Sequence, residues 1–124
     1  METLENVKEL IALCRQESFL EAIERFYAED ATMQENFDSP RAGLRALLEN
    51  ERKVLTALPD IHVERVAWFM VDGDLVAINW VFAYTAPAGH KAQLDEVAYQ
   101  EWHHGKIVRE RFYYDPAQRL RRVD

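Results

Sequence analysis

The sequence predicts an α+β fold: a cone-shaped, curved antiparallel sheet packed on three N-terminal helices, in the order α-α-β-α-β-β-β-β. Three observations carry this reading. Apolar residues recur at helical spacing up to Leu58, the period switches to two after Asp60, and turn signals divide the second half into four runs. Helices followed by a meander is the layout in which helices cover one face of a sheet. A strongly twisted sheet of this length curls, leaving a pocket between itself and the helices.

The first helix runs from about Leu4 to Arg15, capped by Thr3, with an apolar stripe at Leu4, Val7, Leu10, Ile11 and Cys14. Ser18 and Glu21 form a capping box that opens a second helix, with Leu20, Ile23, Phe26 and Tyr27 on one face. Ala31 to Glu35 is a short strand. Asp38-Ser39-Pro40 supplies a turn and starts the third helix, which places Leu44, Leu47, Leu48, Leu55 and Leu58 on one side and stops before Pro59-Asp60. Ile61 to Val71 is one long strand, Asp72-Gly73 a tight hairpin, and Leu75 to Thr85 the next strand. Ala86-Pro87-Ala88-Gly89 is a looser connection to the strand Ala92 to Trp102. A turn at His103-His104-Gly105 leads into Ile107 to Tyr114, which Asp115-Pro116 ends.

With 124 residues, 48% apolar and 30% charged, the chain reads as one domain over residues 1–124, large enough to bury a core without disulfides or metals. A net charge of -7 works against nucleic acid as a partner, because phosphate contacts need a basic face. Arg119, Arg121 and Arg122 read as a frayed, solvated end. The single cysteine, Cys14, shares the register of the first helix's apolar stripe and reads as a buried structural thiol. No leader pattern and no apolar run of bilayer length is present, so no membrane contact is expected and the cytoplasm is the expected setting.

Strand periodicity assigns the pocket's wall. Val76, Ile78, Trp80, Phe82 and Tyr84 form the bulky side of one strand; Glu96, Ala98, Gln100 and Trp102 share a side of the next; Val108, Glu110, Phe112 and Tyr114 share a side of the last. Arg109 and Arg111 belong outside, where charge is solvated, and this turns Glu110 inward. Glu35, at the end of the short strand, is also assigned to an inner, apolar side. Carboxyl groups in such surroundings are costly to desolvate and are therefore paired, protonated or put to use. Glu110 has a structural alternative, as the partner of Arg65 or as part of a buried network with Gln100 and Tyr27. Taken singly, each aromatic residue is more at home in an ordinary core than against a ligand.

No Cys/His spacing suits a metal, and no phosphate loop, nucleophile elbow or HExxH pattern occurs. His103 and His104 are adjacent, so on strand geometry they point apart. No metal or cofactor is expected.

Several segments resemble one family. Phe26-Tyr27-Ala28-Glu29-Asp30-Ala31-Thr32 is similar to the helix-to-strand passage F-A-E-D-A-T of the ketosteroid isomerase and SnoaL-like polyketide cyclase group, within the nuclear transport factor 2-like superfamily. Pro40-Arg41-Ala42-Gly43 resembles its P-x-x-G approach to the third helix. Asp72-Gly73-Asp74 through Trp80-Val81-Phe82 resembles its central hairpin. Trp102 to Val108, with Phe112-Tyr113-Tyr114-Asp115-Pro116, resembles its final strand pair. The resemblance implies a conical, cystatin-like fold, commonly dimeric, with a deep pocket for a small, mostly apolar molecule. Members catalyse proton transfer, cyclisation, epoxide opening or dehydration, and many only bind. The family's enolising base falls at or beside Glu35. Its oxyanion-hole acid falls near Ala98 and its oxyanion-hole tyrosine near Ile11, neither of which donates a hydrogen bond, so true ketosteroid isomerase chemistry is not implied. A register one or two residues away puts Glu96 or Tyr27 in a donor role.

The expected site therefore has Glu35 and Glu110 as acid/base pair, lined by Tyr27, Ile78, Trp80, Phe82, Tyr84, Ala98, Gln100, Trp102, Phe112 and Tyr114. The expected ligand is a small apolar carbonyl or polyketide-like compound. The alternative is a non-catalytic binding or interaction module, and the outer sheet face, with Asn79, Val81, Ala83, Val97 and Tyr99, is the expected homodimer contact.

Overall fold

The computed structural model describes residues 2–123. Helix α1 spans Glu2–Arg15, α2 Phe19–Phe26 and α3 Leu44–Ala57; the strands are β1 Tyr27–Glu35, β2 Arg41–Ala42, β3 His62–Asp72, β4 Leu75–Thr85, β5 Lys91–His103 and β6 Lys106–Tyr113. They form one sheet in the order β2-β1-β6-β5-β4-β3. The α+β architecture with a curved sheet is as expected, with one change of direction: β1 runs parallel to β6, so the sheet is mixed.

Amphipathicity explains the helices. Val7, Leu10, Ile11 and Cys14 bury the stripe of α1, while Phe19, Ala22, Ile23 and Phe26 bury that of α2. Phe19 thus replaces Leu20 on the buried face. Neither expected cap forms. Thr3 lies inside α1 and its hydroxyl bonds Asp74 on the β3–β4 turn, while Ser18 precedes α2 without a side-chain cap bond. The third helix begins after Gly43, whose φ of +97° suits the residue without a Cβ, and its amide donates to Ala31 O.

Strand β1 begins four residues earlier than the alternation suggests. Tyr27 ends the i, i+4 pattern of α2 but has extended backbone (φ -99°, ψ 138°), and a register shift between Tyr27 and Thr32 adapts the strand to β6. Asn36, at φ +51°, then fastens the end of β1: its amide donates to Phe112 O, and its side-chain oxygen accepts from the Tyr114 amide. This clasp sets Glu35 beside Tyr114.

The C-terminal segment is not frayed. Beyond Val97↔Tyr113, β5 has no partner on the β6 side, and a short turn of helix at Pro116–Leu120 covers that edge. Gln118 bonds both the amide and the carbonyl of Asp95, His90 meets Arg119 O, and Val123 N donates to Lys91 O. Arg119, Arg121 and Arg122 remain exposed around this docked backbone.

Candidate functional site

Between the helices and the inner face of the sheet lies a cavity of about 180 Å³. Its apolar wall comes from Leu10 and Cys14 of α1, from Phe19, Ala22 and Ile23 of α2, and from Met33, Trp80, Phe82 and Phe112 of the sheet. Trp80 and Phe82 stack with centroids 5.8 Å apart. Four carboxyl groups face into this space: Glu35, Glu51, Glu96 and Glu110.

Glu110 is 2% exposed, and its surroundings are ordered by donor chemistry. An indole N–H can only donate. Trp102 Nε1 donates to Gln100 Oε1 at 2.9 Å, which turns Gln100 Nε2 toward Glu110 Oε2 at 2.7 Å. The Tyr27 hydroxyl donates to Glu110 Oε1. Register supports the arrangement, because Gln100 lies directly across from Glu110 on the β5–β6 ladder. Burial pushes the Glu110 carboxyl up to about 7, while the two donors pull against burial. Arg65, the alternative partner, is on the surface and pairs with Glu64.

Glu35 sits at the rim, half-buried, in an ion pair with Arg41 and accepting from Tyr114 Oη at 2.6 Å. Burial and the nearby Glu35 push Tyr114 up. Glu96, only 7% exposed, differs from both. Among the described residues no side chain donates to its carboxyl, and burial together with Glu110, Glu35 and Glu51 holds it well above the usual carboxylate range. Glu51 of α3 is raised by burial and by Glu35, with Arg41 opposing.

The structure thus brings Glu35, Glu110, Tyr27, Trp80, Phe82, Gln100 and Phe112 to one cavity. It does not bring the other expected lining residues there. Ile78 and Ala98 are sealed in the core, and Tyr84 packs with Ala86 and Ala92 in a separate cluster. Trp102 is buried against Phe26 and reaches the site only through Gln100, as Tyr114 does through Glu35. Glu51 was missed although its spacing gives a signal: it falls four residues after Leu47 and four before Leu55 on the third helix. Glu96 shares the inner side of β5 with Gln100, as the alternation places it.

Cys14 is buried and faces the cavity, and burial and Glu110 raise its thiol far from reactivity. Arg109 is outside, paired with Glu101. Arg111 is also outside the cavity but is not simply solvated: its Nε donates to Asn36 O and its guanidinium lies over Phe37 and Tyr113. His103 and His104 do not point apart; their rings lie 4.0 Å apart, because His104 adopts φ +49° in the turn and leaves the strand's alternation. Among the described residues no group of three or more His, Cys, Asp or Glu is arranged to hold a metal, and no helix is long and apolar enough to cross a membrane.

The sequence profile of the SnoaL-like domain matches residues 7–110, most of the chain. The chain belongs to the SnoaL-like family. Solved relatives place it in the same structural group. A SnoaL-like polyketide cyclase candidate from Mesorhizobium loti is 27% identical, with a TM-score of 0.78 over 92% of this chain and 100% of that one. An NTF2-like protein of unknown function from Burkholderia pseudomallei superposes with a TM-score of 0.83 at 16% identity, covering 97% of this chain and 95% of that chain. A protein with a cystatin-like fold from Xanthomonas campestris gives 0.82 at 21% identity and 95% coverage of each. No protein of curated function matches the chain in sequence.

Proposed function

We propose that this SnoaL-like protein binds a small, mostly apolar carbonyl or polyketide-like molecule and moves a proton on it without a cofactor. The observation that carries the proposal is the set of carboxyl groups facing a cavity walled by Trp80, Phe82 and Phe112. Their environments differ, which is what an acid/base pair requires. Glu35, with its charge met by Arg41, is the accepting base at the rim. Glu110, near 7 and fed by Tyr27 and Gln100, exchanges protons at depth. Glu96, a further carboxyl on the cavity wall, is raised by burial and by its acidic neighbours. The cyclase candidate from Mesorhizobium loti supports the substrate class.

A direct test uses 5-nitrobenzisoxazole, a flat apolar compound that opens when a base removes one ring proton. The unaltered protein is expected to open it faster than free acetate at the same pH. Glu35→Gln and Glu110→Gln should each lower the rate by roughly 100-fold, the usual contribution of a positioned base. A rate no higher than that of acetate overturns the catalytic reading.

A second reading, binding without chemistry, is favoured by the complete hydrogen bonding of Glu110, as expected of a structural network. Either way we propose a homodimer through the outer sheet face. Asn79, Ala83, Val97 and Tyr99 lie half-buried there and Val81 is fully covered, while Trp68, Met70, Leu75 and Tyr113 leave large apolar surface in water. A reducing cytoplasmic setting suits the unpaired Cys14.

A further inference from the structure

The cavity holds four carboxyl groups, and among the described residues no lysine, arginine or histidine lines it. The groups come from every side. Glu51 enters from α3, Glu35 and Tyr27 from β1, Glu96 from β5, Glu110 from β6, and the Cys14 thiol from α1. Arg41 on β2 stands at the rim and is occupied by Glu35. Tyr27 and Gln100 satisfy Glu110, and Arg41 and Tyr114 satisfy Glu35. Glu96 is left over: 93% of its surface is covered, it faces the open space, and no protein donor meets it. Its carboxyl opens onto the cavity, so its hydrogen-bond partner there is expected to come from the ligand.

Position narrows what that partner is. Glu96 lies directly across from Trp80 on the β4–β5 ladder, where opposing side chains stand roughly 5 Å apart at Cβ. Trp80 in turn stacks on Phe82. A cation beside Glu96 would meet a carboxyl group on one side and the neighbouring aromatic side chains on the other, two surroundings that favour an ammonium group. A carboxylate-bearing ligand would meet like charge from every direction.

We propose that the ligand of this cavity carries a protonated amine on an apolar, ring-sized body, with the amine seated between Glu96 and Trp80. The inference rests on the reading of the cavity as a small-molecule site and adds the ligand's charge to it. The ammonium arrives charged and stays so. The protons it displaces pass to buffer, so affinity for the amine rises with pH across the range in which the raised carboxyl groups titrate, by at most about tenfold per pH unit for each proton released. Glu51 and Glu35 contribute to the same field from the rim.

Calorimetry with three matched probes decides the matter: 2-phenylethylamine, 2-phenylethanol and 3-phenylpropanoate, each at pH 5.5 and pH 8. The amine is expected to bind at least about tenfold more tightly than the alcohol at pH 8, a margin typical of one desolvated cation–π and ion-pair contact, and to lose that margin at pH 5.5. The propanoate is expected not to bind. Amine binding near pH 7 should release protons, seen as a heat that depends on the buffer, and alcohol binding should release none. Glu96→Gln should bring amine and alcohol within about threefold of each other while the alcohol still binds. Glu51→Gln should narrow the margin partly, and it answers the question if the first variant fails to fold. Equal affinities for amine and alcohol at pH 8 overturn the inference and leave the small-molecule reading standing. Binding of none of the three overturns both.

Discussion

Glu110→Gln separates the cost of a buried charge from the cost of a mispaired hydrogen bond. In the native protein the Glu110 carboxyl is raised from 4.5 to about 7, an elevation equivalent to about 3 kcal/mol. The sign follows from which form the fold prefers. The folded protein holds the proton more tightly than the unfolded chain, so this stabilisation is complete below about pH 4.5. It drains away as pH rises to about 7 and is constant beyond. Glutamine cannot titrate, so the variant lacks this slope. It carries instead a fixed penalty: with its oxygen turned to Gln100, whose direction Trp102 sets, its amide nitrogen meets the Tyr27 hydroxyl, whose own proton then loses its acceptor. One unpaired buried donor costs about 1–3 kcal/mol. The variant should therefore be less stable than the native protein by that amount at pH 4.5, and close to it or more stable at pH 8. Urea unfolding at the two pH values measures the crossing. Glu51 slopes alike in both proteins, whereas Glu96 is raised in part by Glu110, so the difference between the curves reports Glu110 together with its coupling to Glu96. Parallel curves, with an unchanged gap from pH 4.5 to 8, would show that Glu110 is not titrating in a desolvated site and would refute the reasoning.

Three further outcomes are expected. Tyr27→Phe removes one of two donors to Glu110, a charge-assisted bond of about 1.5–3 kcal/mol, and should lift the Glu110 titration by one to two pH units, measured by carbon-13 NMR of the carboxyl group. Gln118→Ala breaks the bonds to the Asp95 amide and carbonyl, so hydrogen exchange at the Asp95 amide should rise at least about tenfold while amides in the β4–β5 ladder hold their protection. Met70→Glu, at a side chain 63% exposed on the outer sheet face, should shift the protein from dimer to monomer in sedimentation without altering its stability by more than about 0.5 kcal/mol; a monomeric native protein would remove the dimer proposal.

Much of the sheet was legible because period-two alternation is local. Leu75–Thr85 has the expected bounds, the hairpin at Asp72-Gly73 forms, and the flanking arginines do turn Glu110 inward. Its partners Gln100 and Tyr27 were also legible, since face and polarity together limit the choice. What local pattern could not reveal depends on distant pairing. Tyr27 satisfies the helical spacing of α2, and only β6, far along the chain, draws it into a strand. The docking of the C-terminal segment rests on Gln118 finding an unpaired stretch of β5, which composition does not signal. Glu51 was readable from its place in the Leu47–Leu55 stripe, but an acidic residue on an apolar face is ordinarily taken for its solvated edge. The inward sides of β4 and β5 were assigned as a whole to the pocket, whereas the helices cover Ile78, Ala98 and Trp102 and leave open only the part around Trp80 and Glu96.

The parallel seam between β1 and β6 also governs when the cavity can exist. The Tyr27–Glu110 contact spans 83 residues, so the floor of the pocket closes only after nearly the whole sheet has been synthesised. Until β6 leaves the ribosome, the greasy flanks of α1 and α2 have no finished surface to rest against, and long loop closures of this kind slow folding. Assembly of the binding chamber and commitment to the native state are thus one event: a nascent chain paused before Lys106 should hold no ligand, and a compound that fits the chamber can rescue only chains that have already gone past that point.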